Sequence, residues 1–298
     1  MQITVVPASP KTGQAAIRAL LADPSKPSVK GYYRDLAKVP EDFKAHPHFE
    51  AVKGDVENAG TLDFSGSDTV ITITPPIFDE QDSVAHAKLV SENVKNAVQK
   101  AGVKRLVYLS SAGAQYDHGT GEIITNHTAE VSLKDAAPEV IFVRAAYFME
   151  NWAMCIETIQ QGGFMFTTLT PLDHALPMIA VKDIGLTLAT EALSLTPPPT
   201  TPHIFELHGP RAYTSVDVQK AFEAAAGRSV ELRPIPKEGL RDFYAAVFPP
   251  AVAREYAAMN ESYLEGGILY RDPEPTKGEK RYGKTSLEEA VRAMYPVA

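Results

Sequence analysis

The 298-residue chain has a single cysteine, Cys155, so no internal disulfide can form and the composition suits a reducing compartment. Positive charge is in deficit. The 29 Lys and Arg against 37 Asp and Glu leave a net charge of −8, which argues against nucleic acid or an anionic membrane surface as a partner. No stretch approaches the ~20 apolar residues of a membrane span. The N-terminus has neither a basic region nor an apolar run of signal-peptide length, so a cytoplasmic protein is the expectation. No Cys/His cluster has zinc spacing, and no metal is expected. There is no internal repeat, and the only biased segment, TPPPTTP at Thr196–Pro202, reads as a stiff surface loop. At 44% hydrophobic residues the chain is long enough to bury a large core in one or two domains.

Glycine is missing from one further place. Gln2–Val6 is a β-branched run that reads as a buried strand, and Ala15, Ala16, Ala19, Leu20 and Leu21 recur at helical spacing up to Asp23-Pro24. A strand that turns this quickly into a helix opens a dinucleotide-binding βαβ unit, with the turn facing a pyrophosphate. The usual glycine triplet is reduced here to Gly13, the member that allows close helix–sheet packing. Pro7 and Pro10 replace the other two and bring no N–H. Ser9 reads as an N-cap and Pro10 as the first helical residue, a position where proline is tolerated. The N–H groups of Lys11, Thr12 and Gly13 would still point out of the helix start, beside the Lys11 charge. The plain alternative is a capped helix in a fold that no longer binds nucleotide.

Further along, Val29–Tyr33, Phe49–Val52, Thr69–Thr74, Arg105–Leu109 and Val140–Arg144 read as strands. Val84–Ala101 and Ile124–Leu133 read as helices between them. The alternation predicts an α/β fold: a Rossmann-type doubly wound parallel sheet, with ligands beyond the carboxyl ends of its strands. Met178–Val181, His203–Leu207 and Val230–Pro234 are later strands. The helices of this half run to Glu191, over Ser215–Ala225 with Ser215 as cap, and over Leu240–Asn260 with a break at Pro249-Pro250. The expected division is a dinucleotide-binding domain over 1–150 and a smaller, mostly helical substrate-binding region over 151–298 that partly returns to the large domain.

Arg34 ends the second strand where an acid would accept from ribose hydroxyls; an Arg there favours a 2′-phosphate, and Asp35 comes one residue late. Asp55, after Gly54, could reach an adenine or simply cap its own turn. Thr74-Pro75-Pro76 ends a strand on the ligand side. Ser110, Ser111, Tyr116, Asp117, His118, Asn126 and His127 cluster in one strand-end loop and its helix, where a hydride-transfer enzyme needs a proton donor. No tyrosine has lysine four residues on, so a Tyr-x-x-x-Lys pair is absent. His127 and Glu130 are spaced to pair on a helix. Phe148, Met149, Trp152, Met154, Phe164 and Phe166 form core, or the wall of an apolar pocket for a planar ligand.

On these residues the chain resembles the NmrA-like family of atypical short-chain dehydrogenases, in its fungal branch. The carrying stretches are TVVPASPKTGQAAIRALL, YYRDLAK, FEAVKGDVEN, VKRLVYLSSAGAQ, NHTAEVSL and above all VRAAYFMENW, with LPMIAVKDIG and FELHGPRAYTSVDVQKAF in the second half. The resemblance implies NADP(H) as cofactor, with Lys11, Thr12 and Gly13 at the pyrophosphate, Arg34 at the 2′-phosphate and Asp55 at the adenine. It puts Thr74, Pro75 and Ser111 near the nicotinamide ribose, and Phe148 and Asn151 beside the ring. The chain departs from the family at Pro7, Pro10 and Thr128, the last standing where relatives carry lysine before Ala-Glu. The implied activity is reduction of a small conjugated carbonyl, quinone or iminium in fungal-type secondary metabolism, by a monomer or homodimer. His127, Tyr116 or water would supply the proton. Two other expectations stand beside it: an NAD(P)-sensing regulator without turnover, and a cofactor-free isomerase or cyclase on a degenerate fold.

Overall fold

The computed structural model describes residues 1–79, 82–270 and 278–296. Its first half runs β1 (Gln2–Val6), α1 (Lys11–Leu21), β2 (Ser28–Tyr33), a one-turn α2 (Glu41–Lys44), β3 (Phe49–Lys53), β4 (Thr69–Ile73), α3 (Ser83–Ala101), β5 (Arg105–Ser111), α4 (Ile124–Leu133) and β6 (Glu139–Ala145). These bounds follow the sequence reading closely because the signals are local. Each strand is a β-branched or aromatic run. Asp82 caps α3 by accepting the N–H groups of Val84 and Ala85, and Gly102 stops it in a left-handed conformation, φ 64°.

The second half runs β7 (Tyr147–Phe148), α5 (Ile156–Gly162), β8 (Phe164–Thr167), β9 (Leu176–Ile179), α6 (Val181–Leu193), β10 (His203–His208), β11 (Ala212–Tyr213), α7 (Ser215–Ala226), β12 (Glu231–Pro234), α8 (Leu240–Ala245), α9 (Pro250–Tyr263), β13 (Glu279–Tyr282) and α10 (Leu287–Met294). The expected strand at Met178–Val181 lies two residues earlier, as β9. Thr214, not Ser215, caps α7, because its hydroxyl and the Asp217 carboxylate close a reciprocal capping box. The region after residue 150 is less purely helical than expected. It also holds a two-stranded sheet, β12-β8, and two strands of a three-stranded one, β11-β9-β7, whose β7 lies just before residue 150.

Among the described residues the main sheet has eight strands in the order β13-β10-β6-β5-β4-β1-β2-β3, and every neighbouring pair is parallel. The order reverses between β4 and β2, so β1 and the start of α1 sit at the topological switch point, where such sheets take ligands. Helices α1 and α6 cover one face, packing Ala16, Ile17, Leu20, Ile184 and Leu188 on Ile3, Val5, Ile71 and Val107. The other face lies under α3 and α4, with Val90, Val94, Val98, Ala129 and Leu133 on Val70, Leu106, Tyr108 and Phe142. A separate core around Trp152, Met165, Met178, Phe222 and Val291 holds the smaller region together.

Candidate active site

The carboxyl ends of β2, β1, β4, β5 and β6 lie side by side, so Arg34, Pro7, Thr74, Ser111 and Ala146 follow one another along a single sheet edge. At the switch point the expected cap is absent. Pro10 itself is the cap residue, with φ −59° and ψ 151°, and no side chain caps α1. Ser9 precedes it, and its carbonyl accepts from Gln14 Nε2 (2.9 Å). The first N–H groups of α1 therefore keep the free valence that every uncapped helix start has. Ala8 is different: its N–H already donates to the Tyr32 carbonyl (2.9 Å). Gly13 is needed sterically, because a Cβ there would lie 2.9 Å from the Pro7 carbonyl oxygen and 3.1 Å from that of Ala8. Thr12 is buried and Lys11 exposed.

Arg34 is 71% exposed and rests against Glu57 at 3.7 Å. Glu57 also meets His86 Nε2 at 3.3 Å. Asp35 caps the turn that follows, accepting the Ala37 N–H at 2.9 Å. Asp55 caps its own turn: its carboxylate takes the Glu57 N–H at 3.1 Å, and its N–H donates to Thr61 Oγ1 at 2.9 Å.

At the end of β4, Thr74 Oγ1 lies 3.0 Å from the Tyr108 hydroxyl, which accepts from Asn126 Nδ2 at 3.1 Å. Burial pushes the Tyr108 phenol above its ordinary value, and its bonds to Thr74 and Asn126 offset this only in part. Pro75 is half-buried beside Thr74. Ser111 Oγ donates to the Ala112 carbonyl at 3.2 Å. Its neighbour Ser110 donates to Glu130 Oε1 at 2.6 Å. Glu130 grips Arg144 at both oxygens, 2.8 and 2.6 Å. The expected His127–Glu130 pair is thus replaced: buried Glu130 satisfies a buried guanidinium, which a half-exposed imidazole could not do. His127 Nδ1 instead donates to the Ala114 carbonyl at 2.9 Å, leaving only Nε2 for proton exchange. Tyr116 is half-buried, and Asp117 and His118 pair with each other in solvent.

After β6, Glu150 caps α6, its carboxylate accepting the Val181 N–H at 3.0 Å. Burial raises its pKa, while the Val181 N–H and the Lys11 charge oppose the rise. Phe148 is half-buried and Asn151 exposed. Burial and neighbouring Tyr244 and Tyr263 drive the Tyr147 phenol well up. Neither Tyr108 nor Tyr147 is tuned towards easy ionisation.

Beyond Ser111 and short of Phe148 opens a cavity of about 210 Å³. Ala112, Gly113, Ala146, Leu176, Pro177 and Leu269 give it apolar walls; Tyr147, Tyr263 and a His174–Tyr270 stack at 4.5 Å give it flat ones. Its polar lining is Gln115, Glu206, His208 and Lys280. Neither His127 nor Tyr116 lines it. The sequence reading missed Glu206 and His208, although a signal was present. In HIFELH an acid interrupts an apolar strand, and period-two alternation puts Glu206 and His208 on one face.

An open parallel sheet with its first helix start bare at the switch point defines a Rossmann-type α/β protein. The chain belongs to the NmrA-like family, whose profile matches residues 1–281. It is similar to an NAD(P)H azoreductase of Xenophilus azovorans, 27% identical over 265 residues, covering 88% of this chain and 86% of that one. Among solved structures it superposes on the triphenylmethane reductase of Citrobacter sp. with a TM-score of 0.76 at 19% identity, over 99% of each chain. The NADPH complex of the quinone oxidoreductase QOR2 of Escherichia coli gives 0.76 at 18% identity, over 99% of this chain and 100% of that one.

Proposed function

We propose that the protein is an NADP(H)-dependent oxidoreductase that reduces a small aromatic or conjugated acceptor: a quinone, carbonyl or iminium. One juxtaposition carries this reading. The bare start of α1, with Lys11 beside it and exposed Arg34 next along the edge, shares the carboxyl edge of one sheet with an aromatic-walled cavity beyond β5 and β6. The N–H groups of Lys11, Thr12 and Gly13 would hold the pyrophosphate, since dipole and orphan donors both favour an anion there. Pro7 and the engaged Ala8 N–H take no part. Arg34 would hold the 2′-phosphate by exchanging its 3.7 Å pair with Glu57 for the phosphate, while Asp35 is engaged with the Ala37 N–H. Asp55, Thr74, Pro75, Ser111, Phe148 and Asn151 complete the proposed nucleotide contacts. When bound, the reduced nicotinamide supplies a hydride. The chain's own work is to hold the acceptor against the apolar walls, exclude water and deliver a proton.

The relatives support the reading by name: an NAD(P)H azoreductase, a triphenylmethane reductase and an NADPH-dependent quinone oxidoreductase. The fungal-type, secondary-metabolism assignment is a finer part of the proposal and rests on the VRAAYFMENW stretch. The test is calorimetric titration with NADPH and NADH, followed by the loss of reduced-nicotinamide absorbance on adding 1,4-naphthoquinone. Saturable NADPH binding, tighter than NADH, and NADPH oxidation are expected. Absence of binding by either nucleotide would hand the site to the cofactor-free alternative.

A further inference from the structure

Register places four polar residues in one row across adjacent parallel strands. Ser110 on β5 is partnered with Arg144 on β6, Arg144 with Glu206 on β10, and Glu206 with Lys280 on β13. The row sits on the face that carries Tyr108 and Phe142, at its carboxyl end. Helix α4 supplies Glu130 to its Arg144 end; at the other end Glu206, His208 and Lys280 line the cavity. Glu206 is 4% exposed, so its carboxylate needs partners to be tolerated there. His208 Nε2 donates to its Oε2 at 2.9 Å, and Lys280 Nζ stands 3.7 Å from the same oxygen. A carboxylate only accepts, so the Nε2 proton is fixed by this bond. Nδ1 has no hydrogen-bond partner among the described residues and is the nitrogen left for a ligand.

We infer that His208, oriented by Glu206, is the proton donor to an acceptor carbonyl bound in this cavity, and that Lys280 balances the buried carboxylate. The inference rests on the reductase reading above. In the step, a quinone takes a hydride from the reduced dinucleotide at one carbonyl oxygen and a proton from His208 Nδ1 at the other. Both C=O π bonds become C–O–H groups as the ring aromatises, the dinucleotide is oxidised by two electrons, and solvent reprotonates His208. Among the described residues, the charged and titratable groups beside His208 are Glu206 on its own strand, itself flanked by Arg144 on β6 in the sheet register, and Lys280 and Tyr282 on β13. Across the cavity stand Tyr147, Tyr263, Tyr270 and His174, the last held below its ordinary pKa by burial.

The single tryptophan gives a binding readout independent of turnover, because Trp152 lies 6.0 Å from the cavity wall residue Tyr147. With 1,4-naphthoquinone as probe, His208→Gln should leave NADPH binding and Trp152 quenching within about two-fold of the parent protein. It should lower kcat by roughly 10²-fold or more, with KM little changed and the alkaline fall in the pH profile gone. Glu206→Gln, which keeps an acceptor for Nε2 but removes the charge behind it, should lower kcat about ten-fold and keep that fall. Parental kcat and pH profile in His208→Gln would overturn this inference and leave the reductase reading intact. A parent protein that fails to oxidise NADPH with naphthoquinone would bring down both.

Discussion

At the scale of single residues, surroundings rather than identity separate the site from the scaffold. Arg34, Asp35 and Asp55 all follow strand ends, but only Arg34 presents its charge outward; the two carboxylates cap their own turns. Arg34→Ala is therefore expected to weaken NADPH binding by about 1.5–3 kcal/mol, the range for a charge-assisted bond to phosphate, and NADH binding hardly at all. Parallel calorimetric titrations check this, and equal losses for the two nucleotides would remove Arg34 from the site. The sequence announced Arg34 because its position after β2 is a matter of counting. It could not announce that Glu130 belongs to Arg144 and Ser110, or that Ala114 holds His127, since those partners meet only when β5, β6 and α4 pack. The Glu206–His208–Lys280 cluster was hidden for the same reason: β13 lies more than seventy residues beyond β10 in sequence.

At the scale of elements, the strands and long helices of the first half were legible because hydrophobic period, caps and breakers agree there. The caps of α1 and α7 were not, since each depends on a one-residue shift that composition does not resolve. Nor was the support of α1 visible. This helix presents the proposed phosphate-binding start, and it rests on α6 through Gly185, where a Cβ would fall inside the backbone and side chain of Ala15. The N-terminal end of α6 is itself fixed by the Glu150 carboxylate, which accepts the Val181 N–H. Gly185→Val must separate α1 from α6 or strain both. It should cost about 1–3 kcal/mol in urea unfolding and weaken NADPH and NADH binding alike, because the whole helix start shifts. Loss of stability with unchanged nucleotide affinity would mean that β1 alone positions the turn.

At the scale of the whole molecule, the sheet and the smaller region meet at a seam whose stability should depend on pH. Gly121, φ 55°, sits so tightly on α9 that a Cβ would overlap Met259 and the Glu255 carbonyl. Ser83 at the start of α3 donates to Glu255 Oε1 at 2.9 Å, tying α9 to the sheet domain. In this seam lies Glu122. Burial pushes its carboxyl up to about 7; the Thr125 hydroxyl opposes that, and the nearby Glu255 charge adds to it. A carboxyl raised in the folded state binds its proton more tightly than in the unfolded chain. Its contribution is therefore fully present below the ordinary value of 4.5 and is lost as pH rises through about 7. The full shift corresponds to at most about 3 kcal/mol, less where water reaches the half-buried side chain. Glu122→Gln keeps the shape and cannot ionise. The variant should match the parent protein near pH 4.5 and exceed it by about 1–3 kcal/mol at pH 8.5, measured by urea unfolding at both values. A variant whose stability falls with pH as steeply as the parent's would place the titrating group elsewhere. If the parent alone loses stability over this window, the carboxyl at the seam sets how firmly the cavity-bearing region is held to the sheet.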